Sequence, residues 1–220
     1  MRRITHGMYD TLFRAAHLIL VTNALVAFAS APLIALLVTT DPSLSWPLIA
    51  AAAALAAPAV TAAFGAFRAH REGERSVVRP FLRTLRSTGV RALAVGAAAA
   101  GIVTVAAVDV VVLMPTPAGA LVAPVLVVVA VLGAATGAVA LAALAEAQGT
   151  RFRRLVATSA VVAVRRWPFT LASLAACVAQ AGVFVAAPAL GVGLTASACL
   201  YVVWAGSRHS LAGLVQPVAA

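Results

Sequence analysis

Residues 68–91 read RAHREGERSVVRPFLRTLRSTGVR. Seven arginines fall in these 24 positions, and the stretch is bounded by long runs almost free of charge. Outward from it on the N-terminal side lies an apolar run from about Trp46 to Phe67; on the C-terminal side another extends from about Val90 to Met114. A bilayer core of about 30 Å asks for roughly 20 mainly apolar residues per helix, so each run is long enough to cross. The same alternation of apolar run and arginine cluster continues to both ends of the chain. Four further spans are expected at about residues 17–38, 121–145, 169–187 and 192–206. The last is the shortest. The chain is 63% hydrophobic with a mean hydropathy of +1.05, well above the roughly 45–50% apolar content of ordinary soluble domains. The expected fold is therefore all-α, a single polytopic bundle over residues 1–220 with about six transmembrane helices arranged as three hairpins.

All sixteen basic residues are arginine, and they stand in alternate connections. Arg2, Arg3 and Arg14 precede the first span; Arg68 to Arg91 separate the second and third; Arg151, Arg153, Arg154, Arg165 and Arg166 separate the fourth and fifth; Arg208 follows the sixth. The other three connections carry neither Arg nor Lys, and Asp41-Pro42, Pro115-Thr116-Pro117 and Pro188 to Gly193 mark their turns. Because Lys and Arg concentrate in cytoplasmic loops near span ends, both termini and the basic segments 1–16, 68–91 and 146–168 are expected in the cytoplasm. A miscount by one helix would destroy the alternation. Ala27-Phe28-Ala29 looks like a signal-peptide cleavage site, but the apolar run continues to Val38. That exceeds the roughly 7–15 residues of a signal core, which favours a retained first helix.

The arginines at 75, 79, 83 and 86 recur at helical spacing, with Val78, Phe81, Leu82 and Leu85 largely on the opposite side. Short amphipathic basic helices lying among anionic headgroups are expected here, each arginine contributing on the order of 1 kcal/mol. Arg79, Arg83, Arg86, Arg153 and Arg154 are the candidate lipid or partner surface. The net charge of +10 does not indicate a nucleic-acid partner, because aromatic residues are not interleaved with the arginines. Phe13-Arg14, Phe81-Leu82-Arg83 and Phe152-Arg153-Arg154 recur at roughly 70-residue intervals, a spacing that would suit a repeated two-span unit.

Polar groups inside the spans are few. Asp109 lies in the outer half of the third span, Asn23 in the first and Gln180 in the fifth. Ionisable groups at such positions are costly unless paired or hydrated, so Asp109 is the candidate solute or structural site. Asn23 and Gln180 read as interhelical hydrogen-bond partners. Glu146 is expected to pair with Arg151 or its neighbours, Pro58 to kink the second span, and Gly133 with Gly137 to allow a close helix contact. Cys177 and Cys199 read as small apolar fillers. The histidines at 6, 17, 70 and 209 form no metal-ligand spacing, and no nucleophile–base pair or phosphate-binding loop is found. No cofactor and no enzymatic activity are expected.

One set of motifs resembles a known family. Pro58-Ala59-Val60-Thr61-Ala62-Ala63-Phe64-Gly65-Ala66-Phe67-Arg68, followed by Glu72-Gly73 and by Phe81 in a basic stretch, resembles the corresponding segment of the YesL family of bacterial membrane proteins. Arg165-Arg166-Trp167-Pro168-Phe169-Thr170-Leu171 is similar to that family's basic entry into the fifth span, and Asp109 fits its position. The resemblance covers the hairpin-and-basic-loop layout. It implies a bacterial inner (plasma) membrane and an accessory role beside carbohydrate uptake, with a membrane transporter complex as partner. The chain departs from the family in having no lysine and few aromatics in its basic segments, which bears on whether the partner surface is shared. A small-solute transporter with a site near Asp109, Asn23 and Pro58, between helical hairpins, is the alternative expectation.

Overall fold

The computed structural model describes residues 2–147 and 150–215, and among these residues every regular element is helical. In chain order they are α1 (Arg2–Ala29), α2 (Ala31–Thr39), α3 (Pro42–Arg71), α4 (Val78–Leu113), α5 (Gly119–Glu146), α6 (Phe152–Arg165), α7 (Trp167–Ala186), the single turn α8 (Pro188–Leu190) and α9 (Ala196–Val215). A π-helical segment, Gly191–Thr195, joins α8 to α9. Five helical stretches are long and apolar enough to cross a membrane: those of α3, α4, α5 and α7, and Pro188–Leu211. The pair α1 and α2 passes the same measure jointly, which makes six if the pair crosses as one. The chain is a multi-pass membrane protein. Its outer surface agrees, since Phe28, Val111, Val178 and Val185 are each more than 70% exposed; such surface is suited to lipid and not to water.

The first span differs from the continuous helix expected over 17–38. It breaks after Ala29, and its two parts meet at 76°. Pro32 at the start of α2 explains the break. Its ring would clash with the carbonyl of Phe28 inside a helix, and it has no N–H to give that carbonyl. The chain restarts instead, with Ile34 N donating to Ser30 O at 3.1 Å. The sixth span, expected to be short, is a 24-residue stretch.

The basic segment at 68–91 is not a separate surface helix. α4 runs unbroken for 36 residues, about 54 Å. Its apolar part from Ala92 to Leu113 accounts for about 33 Å, and Val78–Arg91 continues the same helix for about 21 Å more. The buried line of this extension is Pro80, Phe81, Thr84 and Thr88, whereas Val78 and Leu82 are exposed beside the arginines. Phe81 and Thr84 are turned onto α3, because Gly65 of α3 leaves room for Thr84: a methyl group at Gly65 would overlap the Thr84 side chain. The second basic segment does contain its own amphipathic helix, α6, whose Leu155, Ser159, Val162 and Ala163 are buried. Val162 and Ala163 pack with Ala135 and Val139 of α5. The three arginine-bearing segments thus take three structures, the first turns of α1, the start of α4 and the separate α6, and do not behave as copies of one unit.

α3 is the central post, with 56% of its apolar window buried against 11% for α4 and 6% for α7. Small residues allow this. Ala62, Ala63, Ala66 and Ala69 are fully buried, and α4 closes onto them at Gly96, where an added Cβ would lie 3.0 Å from Ala54 O. Pro58 leaves α3 unbroken; it deprives the Ala54 carbonyl of its helical partner, and this is the carbonyl that the Gly96 backbone approaches, a place for a weak Cα–H···O contact. Gly133 and Gly137 face α4 within the same chain, against Ile102 and Ala99.

Candidate functional site

The polar residues of the spans gather at the π-helical turn. A π turn loosens the usual i−4 ladder and leaves carbonyls for other donors. Asn23 Nδ2 of α1 donates to Gly193 O at 2.9 Å, and its Oδ1 accepts from Ser197 N at 2.7 Å. Gln180 Nε2 of α7 donates to Gly191 O at 2.8 Å, and Ser197 Oγ donates to Ile19 O at 3.3 Å. Three elements are thereby tied at one point, with Asn23 buried. Beside it the Thr22 hydroxyl is fully buried and has no hydrogen-bond partner among the described residues.

Asp109 stands apart from this cluster. It is half-buried one turn before the end of α4, at the neutral end of the bundle, and makes no hydrogen bond or ion pair with another described residue. An apolar crevice of about 400 Å³ opens between α3, α4, α5, α7 and α9, with Ala57, Gly96, Gly137 and Val203 among its walls; neither Asp109 nor Asn23 lines it. The structure does not bring Asp109, Asn23 and Pro58 into one polar cavity. Among the described residues no three His, Cys, Asp or Glu side chains gather as a metal ion would require.

The opposite end of the bundle carries the arginines. Arg68 of α3 reaches across to α5, where its Nη1 donates to Ala145 O and Glu146 O. These are orphan carbonyls of a helix C-terminus, where the macrodipole favours a cation. Glu146 does not pair with Arg151 as expected. Its Oε1 accepts from Trp204 Nε1 at 2.8 Å, because the end of α5 faces α3 and α9 while the chain leads Arg151 away to the start of α6. Trp204 is buried, contacts Phe67 with ring centroids 5.9 Å apart, and has the Arg208 guanidinium 5.7 Å from its ring centre. No motif linked these residues in advance: their separation in sequence exceeds a hundred positions for Phe67 and Trp204.

Of the candidate surface arginines, Arg83 is partly committed, its Nη2 lying 3.5 Å from Glu74 Oε2. Arg79 and Arg86 are exposed on the outward side of α4, and Arg153 and Arg154 on the first turn of α6. None of these four side chains engages a described residue. The two cysteines also differ from independent fillers: the free thiols of Cys177 on α7 and Cys199 on α9 lie close enough to interact with each other. The signal for this pair was present in the sequence, since both lie at similar distances from the Pro188 turn. Compared with known protein families, with curated proteins and with solved structures, the chain matches none.

Proposed function

We propose that the protein is a non-enzymatic accessory component of the bacterial inner membrane, oriented with its arginine-bearing end in the cytoplasm, where that end contacts anionic headgroups and docks an acidic membrane partner. The observation that carries this reading is the set Arg79, Arg86, Arg153 and Arg154, exposed and engaging no described residue, at one end of a bundle in which Asn23 and Gln180 are used in holding helices together. Guanidinium groups without partners on a rigid helix are suited to carboxylates or phosphates of another molecule. The inside-positive distribution supports the orientation. The resemblance to the YesL family supports a carbohydrate importer as the partner.

Affinity purification from membranes in mild detergent tests the reading. A double reversal, Arg79→Glu with Arg86→Glu, is expected to abolish recovery of a partner that the wild-type chain retains. Arg83 is unsuitable for this purpose because its loss also disturbs Glu74. Recovery of the same partners by both chains would contradict the docking role.

A further inference from the structure

We propose that the groove between α4 and α5, walled on one side by α6, holds an acyl chain of an anionic phospholipid whose phosphate is taken by Arg91 and Arg153. The groove has a volume of about 390 Å³, and its lining is apolar apart from Thr136. Ala94 and Ala98 of α4 and Gly133 and Gly137 of α5 give it depth, because their side chains are too small to fill the space between the helices. At its floor the two helices touch, with Gly133 against Ile102 and Gly137 against Ala99. Phe152 and Val156, from the arginine-bearing start of α6, close one side. The rim faces outward, toward lipid, since Ile102 and Val129 are each 44% exposed.

Helical spacing puts charge at the head of this groove. Arg91 precedes Ala94 by three residues, Ala98 by seven and Ile102 by eleven, so all four share one face of α4. Arg91 also marks the point where the apolar part of α4 begins. On α6, Arg153 precedes Val156 by three residues and adjoins it on the helix surface. Both arginines are exposed and neither pairs with another described residue, and no carboxylate lines the groove. From Ala94 to Ile102 the helix rises about 12 Å, which fits within the roughly 15 Å of a single leaflet. A lipid whose phosphate lies at Arg91 would therefore run its chain along the groove without leaving its own leaflet.

The two ends of the site do different work. An apolar groove does not by itself favour a chain over the surrounding bilayer, because lipid tails are as apolar as the groove. Choice among lipids rests instead on the headgroup. Each arginine near an anionic headgroup favours it by a factor of about five, and guanidinium takes phosphate oxygens in a bidentate fork. The groove then fixes where the lipid sits. The site rests on that part of the reading above which sets the arginine-bearing end against anionic headgroups. It does not depend on a protein partner, and Arg91 lies outside the set assigned to docking one.

The test uses the full chain purified in mild detergent and titrated with phosphatidylglycerol and, separately, with phosphatidylcholine, bound lipid being counted by native mass spectrometry. The wild type is expected to prefer phosphatidylglycerol by at least about fivefold. Arg91→Gln and Arg153→Gln are each expected to weaken phosphatidylglycerol binding about fivefold and to leave phosphatidylcholine binding as it was. Ala98→Phe fills the groove from an exposed position and is expected to abolish the phosphatidylglycerol preference. Ala97→Phe, exposed on another side of α4, and Arg86→Gln, outside the groove, are expected to bind as the wild type does. Equal affinity of the wild type for the two lipids, an undiminished preference in Ala98→Phe, or the same loss in Arg86→Gln as in Arg91→Gln overturns the site. No protein partner is present in this titration, so its failure is distinguishable from a failure of the docking role.

Discussion

Asn23 makes two hydrogen bonds to the turn that opens α9, and Gln180 makes one. Replacing Asn23 with leucine keeps the volume and removes both bonds, leaving the Gly193 carbonyl and Ser197 N–H without that partner. The expected cost is about 1–2 kcal/mol, since a single interhelical hydrogen bond in a membrane averages below about 1 kcal/mol. Gln180→Leu should cost about half as much. Thermal unfolding in detergent would rank the two; a larger loss for Gln180→Leu would contradict the bonding pattern. Asp109→Asn, by contrast, touches no partner and is expected to shift stability by less than about 0.5 kcal/mol. The residue types of Asn23 and Gln180 announced hydrogen bonding inside spans. That both address the same turn was hidden, because a π-helical distortion carries no sequence signature beyond glycines such as Gly191 and Gly193.

Among the elements, the α3–α4 hairpin is sealed by side chains of the least volume. Gly65→Leu would force α4 away at Thr84, and overpacking of this kind costs about 1–3 kcal/mol. The α7–α9 contact has a chemical test: oxidation in membranes by copper–phenanthroline should remove two electrons and two protons from the Cys177 and Cys199 thiols and join the helices. A protease cut engineered in the turn near Pro188 would then leave the fragments linked until a reductant is added. Separation before reduction would place the two helices differently from the structure. The presence of the apolar helices and the positions of the turns were legible from apolar runs and from Pro115 and Pro188. The break at Ser30 was also legible, in Pro32, although the unbroken hydrophobicity on either side outweighed it. The unbroken passage from Arg91 back to Val78 was not, because a run of charge interrupts hydropathy without interrupting helical hydrogen bonding, and Thr88 satisfies its hydroxyl within the helix by donating to Thr84 O.

For the whole molecule, the arrangement of charge sets a topology that can be checked directly. Reporter tags placed near residues 42 and 75 are expected on opposite sides of the membrane, with the tag near 75 in the cytoplasm. Both in one compartment would refute the span count. The amino-acid sequence by itself determined that the chain is helical and crosses a membrane repeatedly, because transfer of apolar side chains to lipid and the hydrogen-bonding demand of the backbone are properties of local stretches, additive along the chain. Tertiary structure alone decided that α3 is the central post, that Arg68 caps α5, and that Glu146 meets Trp204 and not Arg151. Each of these depends on which faces of distant helices touch. Such choices turn on the fit of glycine and alanine surfaces in three dimensions, and a one-dimensional pattern of similar small residues does not distinguish one neighbour from another.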